Sequence, residues 1–268
     1  MHIVVAVKQV LDPDGVNSYA LWGKLAVDES GRAFNVGELV PRIINAYDEQ
    51  AMEAALRLKD ARPDTRITAV SVGPESAADV LKRCVAMGAD SAIQLLDEPS
   101  NSANGLRTAA VLAGLVRELG DIDLVLCGRQ GSDYDQGVVP GALAEMLGAA
   151  LVTLGAGVEF ADSGVRVTRA TPMGAEVVEA QLPAVVSISN ELGTPRYPTS
   201  RGMLDARRKR PELRAATDLV GDYAAGVELL ELFVPEVQGR CEMIEGGSPA
   251  EKAAELMRRL VGEGAIGG

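Results

Sequence analysis

The residues of this chain that could do chemistry gather in one stretch, positions 124–148, LVLCGRQGSDYDQGVVPGALAEMLG. A short apolar run ends at Cys127. A loop follows with Gly128, Arg129, Gln130, Gly131, Ser132, Asp133, Tyr134, Asp135, Gln136, Gly137, Val138 and Val139, and an apolar-periodic segment then runs to about residue 147. Strand, glycine loop and helix in that order turn backbone N–H groups and the positive end of a helix toward an anion. The chemistry on offer is binding, not bond-making. No Gly-Lys-Ser/Thr follows, which excludes a Walker-type phosphate loop, and the dinucleotide pattern G-x-G-x-x-G is absent. The same layout also serves as a tight connection in which Asp133 or Asp135 caps the helix. Facing a phosphate, these carboxylates would repel it; they suit backbone, ribose or a partner's arginine.

Few other routes to chemistry exist. His2 is the one histidine, so a Ser-His-Asp or Cys-His relay elsewhere and a histidine-rich metal site are both excluded. Asn45, Ala46, Tyr47, Asp48 and Glu49 form a helix start, with Asn45 a cap and acidic residues in the first turn. In a parallel α/β fold that start emerges at the same carboxyl edge of the sheet as the glycine loop, where ligands bind. Residues 194–214 reverse the local charge: Arg196, Arg201, Arg207, Arg208, Lys209, Arg210 and Arg214 stand against Asp205 and Glu212. Such a run is a solvated face or a docking surface for an acidic protein. Nucleic acid fits less well, because no stacking aromatic but Tyr197 accompanies it.

The elements that must position these residues read as α/β. Strand-like runs at 3–7, 66–72, 91–95 and 122–127 alternate with helical ones at 47–59, 76–87, 103–119 and 137–147, the pattern of a parallel sheet. A short hairpin is expected around Leu25 and Phe34. After Gly148 the runs 150–154, 157–160, 165–170, 175–180 and 184–188 are strand-like, and three of them predict an antiparallel β meander appended to the sheet. Residues 217–247 carry little core signal and read as an arm lying on something else. Ser248-Pro249-Ala250-Glu251 opens a terminal helix with a capping box. The division expected is 1–216 and 217–268.

Bulk properties narrow the partners. The 268 residues are 47% apolar but only 3% aromatic, so the core is built of Ala, Val, Leu and Ile. A net charge of −12 argues against a nucleic-acid binder and against broad docking on anionic lipid. No apolar run approaches the roughly 18 residues of a membrane span. The opening MHIVVAVKQV reads as a first strand, without the features of a signal peptide. Cys84, Cys127 and Cys241 are odd in number and far apart, which suits a reducing cytoplasm, with Cys84 and Cys127 buried.

Taken together the segments resemble the β subunit of electron-transfer flavoproteins. The resemblance lies in Val5-Ala6-Val7-Lys8-Gln9-Val10, in Ile44-Asn45-Ala46-Tyr47-Asp48-Glu49 followed by Ala54-Ala55-Leu56-Arg57-Leu58-Lys59, and in Ala86-Met87-Gly88-Ala89-Asp90. It continues in Gly128-Arg129-Gln130 with Asp133 and Asp135, in Leu182-Pro183-Ala184-Val185-Val186 and in Pro195-Arg196-Tyr197-Pro198. It implies a Rossmann-like, parallel-sheet core that binds an adenine nucleotide, with a C-terminal arm wrapped around a partner. It further implies a heterodimer with an α subunit that holds most of an electron-carrying FAD, and in this subunit AMP or a second FAD. Such a pair takes electrons from dehydrogenases and delivers them to a quinone reductase or another acceptor, without substrate turnover in the β subunit.

Carried over by position, the nucleotide contacts are Ala6, Asn45, Ala46, Tyr47, Asp48, Val72 and the loop from Gly128 to Val139. Tyr47 falls where the family faces the partner's flavin. Residues 194–210 match its partner-docking loop, here with Pro195, Arg196, Tyr197, Ser200, Met203, Leu204, Arg207 and Arg208. The chain departs from the common pattern at Tyr134 and Val138, at Ser200-Arg201 where a Leu-Pro anchor is usual, and in residues 169–174. A flavin-free adenine-nucleotide protein of the universal-stress kind is the competing expectation; the β appendage, basic loop and arm count against it. An enzyme with its own catalytic residues is a third.

Overall fold

The computed structural model describes residues 1–16, 26–32, 34–35, 40–98, 104–221, 223, 227, 229–234 and 241–267. They fall into two units, residues 1–233 and 234–268. The larger unit runs past the break expected at 216 because Ala216 is fully buried and Leu219 and Val220 pack against the core.

In chain order the larger unit comprises β1 (His2–Ala6), β2 (Gln9–Leu11), α1 (Pro13–Val16), β3 (Ala26–Val27), β4 (Phe34–Asn35), β5 (Arg42–Ile44), α2 (Ala46–Ala61), β6 (Arg66–Gly73), α3 (Ala78–Met87), β7 (Ser91–Leu96), α4 (Gly105–Leu119), β8 (Leu124–Gly128), α5 (Val139–Leu147), β9 (Ala150–Ala161), β10 (Gly164–Thr171), β11 (Gly174–Gln181), β12 (Ala184–Ile188), α6 (Ser200–Arg208) and β13 (Glu212–Ala215). The pairing of β3 with β4 is the expected hairpin, although Leu25 lies outside the described residues. The smaller unit carries α7 (Pro249–Gly262), opened by the full Ser248–Glu251 capping box.

One nine-stranded sheet carries the fold, in the order β11-β10-β9-β12-β8-β1-β6-β7-β13. From β9 to β13 every neighbour is parallel. β10 and β11 extend the other end antiparallel, as the expected appendage. β8 and β12 are buried along their whole length, because a parallel sheet is covered on both faces. Side-chain alternation sorts β1 between the two layers. Ile3 and Val5 pack with Met52, Leu58 and Leu81 of α2 and α3; Val4 packs with Leu112, Leu115 and Leu143 of α4 and α5. β1 leads through α2 to β6 on one side, while β8 pairs on its other side after the chain has passed β7 and α4. The chain therefore reverses its direction of travel between β1 and β8, and a crevice opens at their carboxyl ends.

The runs 150–154 and 157–160 are one strand, not two. Gly155 is not a turn but part of a bulge: Leu154 adopts φ 60° and the β12 register shifts between Val186 and Ile188. A Cβ on Gly155 would lie 3.2 Å from both Ile188 and Val167, so the bulge lets β9 pass from β12 to β10. Residues 200–208, expected within a loop, form α6. Thr199 caps it by accepting from Gly202 N–H at 3.0 Å.

Candidate functional site

The crevice is a cleft of about 780 Å³ including its solvent-open mouth. Its floor is apolar: Ala6 ends β1 and Val7 follows it, Val70 and Val72 lie toward the end of β6, and Leu112 comes from α4. Asn45, Asp48 and Lys8 form one wall, the glycine loop another, and Gly105 and Thr108 of α4 a third.

Asp48 explains how the strand ends are held together. It sits in the first turn of α2, and its carboxylate accepts from Lys8 N–H at 2.7 Å and from Gly128 N–H at 2.9 Å. One carboxylate thus ties β1 to β8 where the chain reverses. Burial pushes its pKa up to about 7, against the pull of the Lys8 N–H, Asn45 and the Gly128 N–H. Gly128 must be glycine, since a Cβ there would stand 2.2 Å from Asp48 Oδ1 and 2.8 Å from its backbone nitrogen. Burial likewise raises the thiols of Cys84 and Cys127 well above the ordinary cysteine range, which leaves them protonated.

Asn45 stands at the N-cap position of α2 but caps nothing with its side chain. Its Nδ2 donates to Gln130 O at 2.8 Å and its Oδ1 accepts from Ser132 N–H at 3.1 Å, which seams the helix start to the glycine loop. Neither Asp133 nor Asp135 caps α5. Asp133 accepts from Lys8 Nζ, 2.7 Å from Oδ2, and from Tyr134 N–H, whereas Asp135 accepts from Gln130 Nε2 at 2.8 Å. The N-cap of α5 is Val138, which has no polar side chain to offer, and Pro140 follows within the first turn. The first N–H groups of α5 are therefore left for an acceptor from outside the helix.

Of the positions anticipated from sequence, Ala6, Asn45, Asp48, Val72, Gly128, Gln130, Gly131, Asp133, Tyr134, Gln136, Gly137, Val138 and Val139 line the cleft. Ala46, Tyr47, Arg129, Ser132 and Asp135 do not; the Arg129 guanidinium lies 5.1 Å from the centre of the Tyr47 ring, beyond the lining. Sequence reasoning passed over Lys8, Gly105, Thr108 and Leu112. Asn104-Gly105 was the available signal, since Asn104 accepts from Arg107 N–H to cap α4.

The basic segment is not uniform. Arg196 is spent inside the subunit: it donates to Glu53 at 2.9 Å and to Asp60 at 2.7 Å. The hydrogen bonds to Asp60 and then Glu53 raise its pKa further. Arg207 and Arg208 are exposed in the last turn of α6, beside half-exposed Met203 and Leu204, and Tyr197 is 82% exposed. Among the described residues no cluster could hold a metal ion, and no helix is long and apolar enough to cross a membrane.

The electron transfer flavoprotein domain is the family whose model matches, over residues 34–219. The chain is 33% identical to the caffeyl-CoA reductase-Etf complex subunit CarD of Acetobacterium woodii, over 97% of this chain and 98% of the relative. It is 33% identical to the electron transfer flavoprotein subunit beta of Megasphaera elsdenii, over 98% and 99%. The acryloyl-CoA reductase electron transfer subunit gamma of Anaerotignum propionicum is 29% identical over 97% and 98%. With this sheet, this cleft and these relatives, the chain belongs to the electron transfer flavoprotein family, among its beta subunits.

Proposed function

We propose that this chain is the β half of a heterodimeric electron carrier and holds an adenylate group in the cleft between β1 and β8. The adenylate is AMP or the AMP half of a second FAD. What carries the reading is the convergence of the apolar strand ends, the glycine loop and the N-terminus of α5 on one crevice at the point of chain reversal. Ala6, Val72 and Leu112 offer an apolar bed for a base. Thr108 and Gln136 bring polar side chains to the lining for a sugar. The start of α5 offers N–H groups for a phosphate. The chain's own residues bind and position; FAD, mainly held by the α subunit, supplies the redox chemistry.

Donor dehydrogenases and the acceptor dock, on this reading, at α6 through Met203, Leu204, Arg207 and Arg208, with Tyr197 and Ser200 beside them. Arg196 anchors the segment instead. Electron transfer requires close approach and fast release, which complementary charge provides without a large interface. The relatives named for complexes with CoA-ester reductases point to a donor or acceptor of that kind.

Release and mass analysis of nucleotides from the purified heterodimer tests this. AMP or an excess of FAD over one per heterodimer is expected. A complex with one FAD and no other adenine nucleotide would remove the adenylate from the cleft. Gly131→Val should deplete that nucleotide, because a Cβ there already falls 2.6 Å from Asp133 Oδ1 and 3.4 Å from the Lys8 side chain.

A further inference from the structure

Lys8 is the one cation among the described residues that line the cleft, whereas Asp48 and Asp133 both bring carboxylates. Its backbone is fixed on both sides: Lys8 N–H donates to Asp48, and Lys8 O accepts from Asn45 N–H at 2.9 Å. Its ammonium is held at the mouth by Asp133, 2.7 Å away, and lies 4.9 Å from the centre of the Tyr134 ring. Lys8 and Asp133 keep between a quarter and a third of their side-chain surface exposed, so the pair is neither sealed nor free.

We propose that Lys8 is the counter-ion for the phosphate of the bound adenylate, and that Asp133, its ion-pair partner, competes with that phosphate for the ammonium. This rests on the adenylate reading above. The pair with Asp133 spares the partly buried Lys8 ammonium an uncompensated charge. An entering phosphate offers the ammonium a second charge-assisted acceptor while the N–H groups of α5 take other oxygens. Asp133 and phosphate compete for one ammonium. Asp133 therefore lowers affinity for the charged ligand, and the site discriminates the presence of a phosphate rather than the base.

Binding of AMP, FAD and adenosine to the heterodimer, stripped of the adenylate in this chain but keeping the flavin of its α subunit, tests the exchange by calorimetry. In Lys8→Met, AMP affinity should fall roughly tenfold and adenosine affinity less than about twofold. In Asp133→Asn, which keeps an oxygen for Tyr134 N–H, AMP affinity should rise about threefold with adenosine unchanged. FAD should follow AMP in both variants if the AMP half of a flavin is the resident, and should be insensitive if only AMP enters. Lys8→Arg keeps the charge and should restore most of the AMP affinity, which guards against a loss through misfolding. Equal losses for AMP and adenosine in Lys8→Met, or unchanged AMP affinity in both single variants, would overturn the exchange and leave the adenylate reading standing. A wild-type heterodimer so prepared that binds none of the three ligands would overturn the adenylate reading and, with it, the exchange.

Discussion

Gly128 and Asp48 meet with no space for a Cβ between them, and each makes a separate forecast. Gly128→Ala places a methyl group against the Asp48 carboxylate and backbone, so α2 must retreat from the end of β8. Overpacking of this kind costs about 1–3 kcal/mol, to be read as a lower urea midpoint with unchanged slope. An unaltered midpoint would mean that α2 is not seated as described. Asp48 makes a pH forecast. Its folded pKa, about 7, lies above the unfolded value of 3.8, so between these values the folded chain binds the extra proton. The contribution of Asp48 to stability is thus complete below about pH 4 and is lost as pH rises toward 7, with a slope near 1.4 kcal/mol per pH unit at most. Unfolding of the nucleotide-free wild type and Asp48→Asn at pH 5 and pH 7.5 isolates it. The difference between the two proteins should shift in favour of Asn at the higher pH; a constant difference would show that Asp48 is ionised throughout.

At the scale of elements, α6 is the piece most open to test. It lies on the end of α3 with no room to spare: a Cβ on Gly202 would meet Ala86 O at 2.1 Å. Its start depends on Thr199 and its approach on Arg196, which bridges to Glu53 and Asp60 of α2. Gly202→Val should lift α6 from α3 and slow reduction by a donor dehydrogenase severalfold, while nucleotide content stays intact because the cleft lies at the carboxyl ends of the strands. Thr199→Ala should act in the same direction and cost about 1 kcal/mol of local stability. If nucleotide is lost in either variant, α6 supports the cleft as well as the docking face.

At the scale of the molecule, charge and exposed apolar surface point outward to partners. The chain carries −12 overall, yet Arg201, Arg207 and Arg208 are exposed together on α6. Reversing Arg207 and Arg208 to Glu should slow reduction by an acidic donor and flatten its dependence on salt, with flavin content unchanged. Equal rates and equal salt dependence would make the face merely solvated. Apolar exposure makes the second case. Within the larger unit Val227, Leu230 and Phe233 are 54%, 77% and 71% exposed, and in the smaller unit no residue of α7 is buried. Surface of this kind is covered by a partner in a stable protein. The chain produced alone should therefore sediment as aggregate, and co-production with an α subunit should yield a discrete yellow heterodimer. A monodisperse monomer with slow amide exchange across residues 227–234 would count against it.

The sequence by itself determined the alternation of strands and helices, the antiparallel extension, the capping box of α7 and the loop that forms one wall of the cleft. These are local patterns: period of burial, glycine placement and cap chemistry within a few residues. It also placed Asn45 and Asp48 at the carboxyl edge of the sheet where the cleft lies, because the N-termini of helices that follow parallel strands share that edge. Tertiary structure decided what those side chains do. Asn45 leaves its own helix to bond the glycine loop, since Gln130 O and Ser132 N–H lie within its reach across the crevice. Lys8 and Asp133 are 125 positions apart and meet only because β1 and β8 are neighbours in the sheet. Gly155 reads as a break along the chain and becomes a bulge because Ile188 and Val167 close on it from both sides. Pairing across the sheet is a long-range choice made by burial of both faces at once, and no short window of residues contains it.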